Sequence, residues 1–376
     1  MTAASSTSEA TSTVLSGGGE MGALMRQTDW AATPLGPVAT WPQSLKTAVS
    51  ILLDSRFGMY IAWGPQYVQI YNDGYRPILG ATKHPRAMGN VASDTFAESW
   101  DIIRPMFEDV RRGIAVGSDD WMLPLDRFGY LEECFFTFSY SPIRDESGGV
   151  GGIHVTVTET TQRVLAARRL SALHALVEST FGKRTATEAA LAAVAVLGET
   201  RGDVPFAMVY LLDGETHGLR LAASVGVEPG SVAAAPESWP LAAVLADGRI
   251  ESVADIATRF APIPSRIWPE NVESAVVVPI RRAGEDAGCG VLVAGVSPRR
   301  AMDADYTKFF ALAASHLATA IADTRVAEAE RRLVDAERER LYAHFLQAPF
   351  PVAVFRGPTH VVELANPAAL AVWGKT

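Results

Sequence analysis

Cysteine is almost missing from this chain of 376 residues, which carries only Cys134 and Cys289. Neither lies in a Cys-x-x-Cys pair, so a disulfide framework and a zinc–thiolate site are excluded, and both read as small hydrophobes in strands. Basic charge is short as well. Lys and Arg number 33 against 42 Asp and Glu, a net charge of −9, and without a basic footprint nucleic acid is not an expected partner. No apolar run reaches the ~18 residues of a membrane-spanning helix. The longest, Ala189 to Leu197, is Ala-rich and reads as a helix core. Met1 to Gly19 has neither the basic nor the apolar region of a signal peptide; rich in Ser, Thr and Gly, it reads as a disordered tail over 1–20. A cytoplasmic location is the expectation.

What is present is ordinary globular material, 48% hydrophobic and 20% charged, in a length that predicts two or three domains at roughly 100–200 residues each. Ser44 to Asp54 has helical periodicity. Phe57 to Trp63 and Tyr67 to Tyr71 read as strands joined at Gly64-Pro65. Trp100 to Gly113 carries a helix stripe through Ile102, Ile103, Met106, Phe107 and Val110 and is closed by Gly113. Three strand-like runs follow: Asp120 to Leu125, Tyr130 to Ile143 and Val150 to Thr158. Within the second, Glu132 and Glu133 are adjacent, so one is expected on each face of the sheet. From Thr160 the pattern turns helical.

A second α+β unit then begins. Thr187 to Thr200 reads as a helix; Phe206 to Leu212, Leu219 to Val225, Ser274 to Ile280 and Gly290 to Val296 read as strands. Asp303 opens a helix with no breaker before Pro349, about 45 residues and roughly 65 Å long. Its last part, Arg325 to Arg340, alternates charge and has a thin apolar seam through Val326, Leu333, Leu341 and Phe345, which leaves a solvated helix and a two-helix coiled coil both open.

An internal repeat links the two ends of the chain. Gly64-Pro65 precedes Val68-Gln69-Ile70-Tyr71-Asn72, and Gly357-Pro358 precedes Val362-Glu363-Leu364-Ala365-Asn366. Gly80 and Gly374 follow their Asn at the same spacing. A second copy of the first domain is therefore expected to start near Gln347. One hairpin and a turn of helix cannot bury the apolar face of a sheet, so the chain is expected to be truncated within that copy.

The order of two strands, short helices around an Asn, a longer helix and three strands resembles a PAS domain over Ser55 to Gln162. Glu159-Thr160-Thr161-Gln162-Arg163 resembles the element with which PAS domains hand over to an output helix, with Glu in place of Asp and Thr in place of an aliphatic residue. Leu35-Gly36-Pro37, Trp41-Pro42-Gln43-Ser44-Leu45, Tyr71-Asn72-Asp73, Leu79-Gly80-Ala81-Thr82-Lys83-His84-Pro85 and Leu131-Glu132-Glu133-Cys134 together resemble the N-terminal PAS domain of a group of bacterial sensor histidine kinases. The second unit resembles a GAF domain, on the strand pair Ser274 to Ile280 and Gly290 to Val296 followed by the long helix. The fold class so implied is α+β: a PAS domain, an antiparallel five-stranded sheet with flanking helices, then a GAF domain, joined by long signalling helices. The expected division is a tail over 1–20, an N-terminal helical cap over 21–54, PAS over 55–162, a linker helix over 163–180, GAF over 181–323, a signalling helix or coiled coil over 324–346, and the start of a second PAS domain over 347–376.

No catalytic motif is found. His344 near Pro349 has no acidic neighbour after it, as a phosphoacceptor would, and no phosphate-binding glycine loop occurs. Cys134 lies in a strand pattern rather than the helix of a flavin-binding PAS domain. Trp100 to Gly113 has no histidine to hold haem, Cys289 is followed by Gly290 rather than the His of a bilin site, and a GAF-type methionine sulfoxide reductase needs more cysteines than this one. No cofactor or metal is expected. Trp63, Tyr71, Asn72, Tyr75, Trp100 and Trp121 are the candidate lining of a small-molecule pocket, with Asn72 as its polar anchor or else as a helix cap. Glu159, Thr160 and Thr161 are the candidate relay to the exit helix.

The resemblance implies the sensory input region of a two-component sensor histidine kinase, homodimeric through its linker helices, with a response regulator reached through the parent kinase. A stand-alone PAS/GAF interaction module is the alternative, as is the input region of a diguanylate cyclase or a serine phosphatase.

Overall fold

The computed structural model describes residues 14–213, 216, 218–282, 284–285, 288–358 and 361–374. It divides into two compact units, residues 1–170 with 299–301, and residues 171–298 with 302–376. The expected disordered tail is corrected within the described part. Residues 1–13 lie outside it, but Leu15 is fully buried and helix α1 (Gly19–Gln27) begins at Gly19. Asp73 explains that start. Its Oδ1 accepts from the backbone N–H groups of Glu20 and Met21 at 3.0 and 3.1 Å, placing a carboxylate at the positive end of the helix.

The first unit is a five-stranded antiparallel sheet in the order β2-β1-β5-β4-β3. Its strands are β1 (Gly58–Trp63), β2 (Val68–Tyr71), β3 (Val116–Asp126), β4 (Leu131–Arg144) and β5 (Val150–Glu159). Helix α2 (Gln43–Asp54) precedes β1 and buries Leu45, Val49 and Leu52, one stripe at helical spacing, packed on β1 and β2. Helices α3 (Arg76–Lys83), α4 (Ala92–Thr95) and α5 (Trp100–Arg111) carry the chain from β2 to the edge strand β3. Alternation along the strands sends Tyr60, Phe136, Phe138, Tyr140, Val155 and Val157 to the face that meets Ile103 and Phe107 of α5. Helix α6 (Thr161–Thr180) follows β5 after the single residue Thr160.

In the second unit α7 (Ala186–Glu199) leads to the antiparallel order β7-β6-β10-β9-β8. The strands are β6 (Ala207–Leu212), β7 (Leu219–Val225), β8 (Glu251–Val253), β9 (Ala275–Ile280) and β10 (Gly290–Gly295). The near-continuous hydrophobic runs of β6, β9 and β10 follow from burial of both faces. Val209, Leu211, Val276, Val278, Leu292 and Ala294 meet the helices, and Met208, Tyr210, Val277, Val291 and Val293 take the opposite face. Ala189, Ala190, Ala193, Ala313 and Ala314 are buried with the first set; their small side chains let α7 and α10 (Ala304–Gln347) lie close against the strands. Short helices α8 (Leu241–Asp247) and α9 (Ile256–Arg259) contribute to the other face. The 44-residue α10 is followed by the hairpin of β11 (Ala353–Arg356) and β12 (Val361–Ala365), then α11 (Pro367–Val372).

Candidate functional site

The six candidate pocket residues do not gather in one place. Asn72 Nδ2 donates to the carbonyls of Leu52, Ser55 and Phe57 at 3.1, 3.1 and 2.8 Å. Its Oδ1 accepts from Met59 and Tyr75 N–H at 2.9 and 3.1 Å. The amide is consumed in tying the end of α2 to the start of β1 and the entry of α3, which leaves nothing for a ligand. Tyr71 is fully buried and its hydroxyl meets His84 Nδ1 at 3.0 Å. Trp63 lies over Gly151 and Gly152, where an added Cβ would come within 3.0 and 2.5 Å of its ring. Trp100 packs against Tyr67 and Phe107, with ring centroids 5.9 Å from each.

Tyr75 and Trp121 do meet, on a cavity of about 40 Å³ between the sheet and the helices. Its walls are aromatic and aliphatic, with no charged side chain among them. Three phenols supply its polarity: Tyr60 from β1, Tyr75 ahead of α3 and Tyr140 from β4. The rings of Tyr60 and Tyr75 are 5.0 Å apart. Tyr60 Oη is buried without a hydrogen-bond partner in the protein. Burial, then the proximity of Tyr75 and Tyr140, holds the Tyr60 phenol well above its ordinary pKa, and burial raises Tyr75 and Tyr140 too. All three remain neutral donors. Sequence reasoning missed Tyr60 and Tyr140, although Phe136, Phe138 and Tyr140 alternate plainly along β4 and mark one face.

A charged junction lies where β5 hands over to α6. Arg127, in the β3–β4 turn, is buried at 6% exposure and bonds three carboxylate oxygens. Its Nε reaches Glu132 at 2.8 Å, and its Nη1 and Nη2 hold Glu159 at 2.8 and 3.1 Å. This is the bidentate geometry that fixes a carboxylate most firmly. Glu132 shares the parity of Phe136, as alternation requires, and Glu133 takes the other. There it is held by Arg168 of α6 in a second bidentate pair at 2.9 and 3.0 Å. Thr160 N–H donates to the Phe135 carbonyl at 2.8 Å, and Thr161 Oγ1 accepts from Phe135 N–H at 2.9 Å. The three candidate relay residues thus all bond to other parts of the sheet.

The junction also reaches the cavity. Gly80 breaks α3 at φ 60° and ψ −160°, and a Cβ there would stand 2.5 Å from the Arg127 carbonyl oxygen. Only glycine permits that approach. Beyond it, Ala81 and Thr82 donate to the same carbonyl at 3.0 and 3.3 Å. Tyr75 and Ile78 on the cavity wall, Gly80, Arg127, Glu159 and the start of α6 therefore form one bonded and packed series. Cys134 is buried within the same core, its thiol pushed up to about 12 chiefly by burial, so it stays protonated and inert.

In the second unit the face away from the long helix is filled. Tyr210 Oη donates to Ala234 O at 3.0 Å and Trp239 Nε1 to Ala233 O at 2.8 Å, while Arg259 lies over the rings of Trp239 and Phe260. Among the described residues no group of three or more His, Cys, Asp or Glu is placed to hold a metal, and no helix is long and apolar enough to cross a membrane.

No curated protein matches the chain. Among solved structures it is similar to the GAF domain of an Acinetobacter phosphoenolpyruvate-protein phosphotransferase, at 18% identity over 42% of this chain and 94% of that one, with a TM-score of 0.33. The GAF domain of the Coxiella burnetii phosphoenolpyruvate-protein phosphotransferase matches at 17% identity, over 44% and 98% of the two chains, with a TM-score of 0.32. Free methionine-R-sulfoxide reductase from Neisseria meningitidis, in complex with its substrate, matches at 20% identity, over 43% and 93%, with a TM-score of 0.32. The family model that matches is the GAF domain, over residues 183–322. This stretch of the chain is a GAF domain.

Proposed function

We propose that the chain is a sensory input region in which a PAS-type module, residues 55–162, passes its conformational state through α6 towards the GAF domain and a signalling output. The observation that carries this reading is the bidentate grip of Arg127 on Glu159, the last residue of β5. A change in the packing of Tyr75 or Ile78 displaces the Gly80 break, the Arg127 backbone that lies against it and the carboxylate that Arg127 holds. Packed cores respond to such changes by switching between discrete arrangements rather than by yielding gradually. The sheet order β2-β1-β5-β4-β3 and the helices between β2 and β3 support a PAS-type reading.

In this reading the output is a two-component histidine kinase acting on a response regulator, and the chain dimerises through its helices. Along α10, Val326, Leu333 and Leu341 are 60, 71 and 60% exposed, which supports a helix that has a partner to meet.

The test is amide hydrogen exchange of the whole chain as wild type and as Arg127→Met. Exchange in Thr161–Leu170 is expected to rise at least several-fold in the variant, while β9 and β10 stay protected. Unchanged exchange in that helical segment would reject the relay.

A further inference from the structure

We infer that the cavity of the first unit is a binding site for a small neutral molecule of mainly hydrocarbon surface carrying one hydrogen-bond acceptor, which Tyr60 reads and Trp121 admits. The inference rests on the sensory reading above and names the ligand class of that module.

Tyr60 Oη is the first observation. It belongs to the inner strand β1, on the wall of the cavity, is 1% exposed as a residue, and has no partner in the protein. A buried hydroxyl left unpaired is costly, so an acceptor brought to it is bound with the gain of the missing hydrogen bond. Chemistry of the walls sets the rest of the class. No Asp, Glu, Lys, Arg or His lines the cavity, so a charged guest would lose its hydration with nothing to pair it. The phenols, kept neutral by burial, offer donors and no cation.

Size determines how such a guest enters. The cavity measures about 40 Å³, against roughly 150 Å³ for an apolar cavity that admits benzene. A ring-sized guest therefore needs one wall to move, and Trp121 is placed for that. It is 44% exposed and sits on the edge strand β3, directly after a bulge where the β3–β4 register shifts between Ser118 and Trp121. Asp120 within that bulge has φ 49°, a left-handed conformation unfavourable for a non-glycine residue. Bulges of this kind re-aim the side chains beside them. Asp120 also pairs with Arg163 in the first turn of α6, so a shift of the bulge is felt in the exit helix.

The probes are cyclohexanone and methylenecyclohexane, the same ring with oxygen replaced by =CH2, titrated into the whole chain and followed by ligand-observed NMR. The affinity ratio of cyclohexanone to the hydrocarbon is expected to be about tenfold higher in the wild type than in Tyr60→Phe, the usual worth of one buried hydrogen bond. In Tyr60→Phe the hydrocarbon's affinity should be retained while the ketone's falls, because its carbonyl is then desolvated without that donor, and cyclohexanecarboxylate should compete in neither protein. An affinity ratio of the pair that is unchanged by Tyr60→Phe overturns the inference. So does failure of either probe to bind, with Tyr60 satisfied by a trapped water. The readout is occupancy of the cavity, so it stands or falls separately from the exchange experiment on Arg127.

Discussion

Asn72 and Asn366 anchor two hairpins in the same way. Each Oδ1 accepts from the N–H near the start of the first strand of its hairpin, Met59 and Val352, at 2.9 Å. Each also accepts from the N–H three residues on, Tyr75 at 3.1 Å and Ala369 at 2.9 Å. Each Nδ2 donates back to carbonyls before the strand, with Phe57 and Phe350 both at 2.8 Å. The repeat read in the sequence is thus a repeat of hydrogen bonds.

Asn72→Ala removes one side of five hydrogen bonds and strands buried backbone groups. A loss of about 3 kcal/mol is expected in the first unit, seen as a lower denaturant midpoint. Asn366→Ala should leave that unit's midpoint unchanged and raise exchange only around β11, β12 and α11.

The exit junction makes a sharper demand. Arg127→Met leaves Glu159 without the guanidinium that grips it and Glu132 with Arg300 alone, 3.6 Å away, and removal of one member of a buried ion pair costs about 3–5 kcal/mol. Combining it with Glu159→Gln should recover part of that loss, because the uncompensated charge is then gone. A double-mutant cycle in denaturant measures it, and strict additivity would show that the two residues are not coupled.

Tyr60→Phe should act in the opposite direction. Its hydroxyl is buried without a partner, so its removal is expected to stabilise the ligand-free protein by about 1 kcal/mol. A lower midpoint in the variant would mean that the hydroxyl already has a partner.

His154 on β5 gives a pH dependence. Burial lowers its pKa below the ordinary value, and Arg144, Asp145 and Glu146 line the same groove. The unfolded chain then binds more protons than the folded one below about pH 6.5. Stability from the neutral ring is complete above that value and is lost as the pH falls through the lower, folded pKa. His154→Gln should flatten the stability profile on the acid side of about pH 6.5, measured by thermal melts at falling pH.

Much of this architecture is legible in the residues. The strand runs, the stripe of α5 and the charge-alternating end of α10 follow from period and composition, and the Asn repeat from spacing. The site is less so. Trp63 and Tyr60 are three residues apart on one short strand, and alternation puts them on opposite faces without saying which face is covered by helices. Packing on Gly151 and Gly152 buries Trp63 away from the cavity, and that contact joins strands far apart in sequence. Arg127 gives no signal at all. It is one cation in a turn, and its partners Glu132 and Glu159 come together only when β4 and β5 pair. The buried start at Leu15 was hidden by a tail whose composition reads as unstructured.

The central claim is that filling the cavity alters the exit helix through Arg127. Hydrogen exchange of Thr161–Leu170, measured with and without saturating cyclohexanone in wild type and Arg127→Met, tests it most directly. The account predicts a change of several-fold in the wild type and none in the variant. A cavity filled by the ketone with no change in that helix would contradict it.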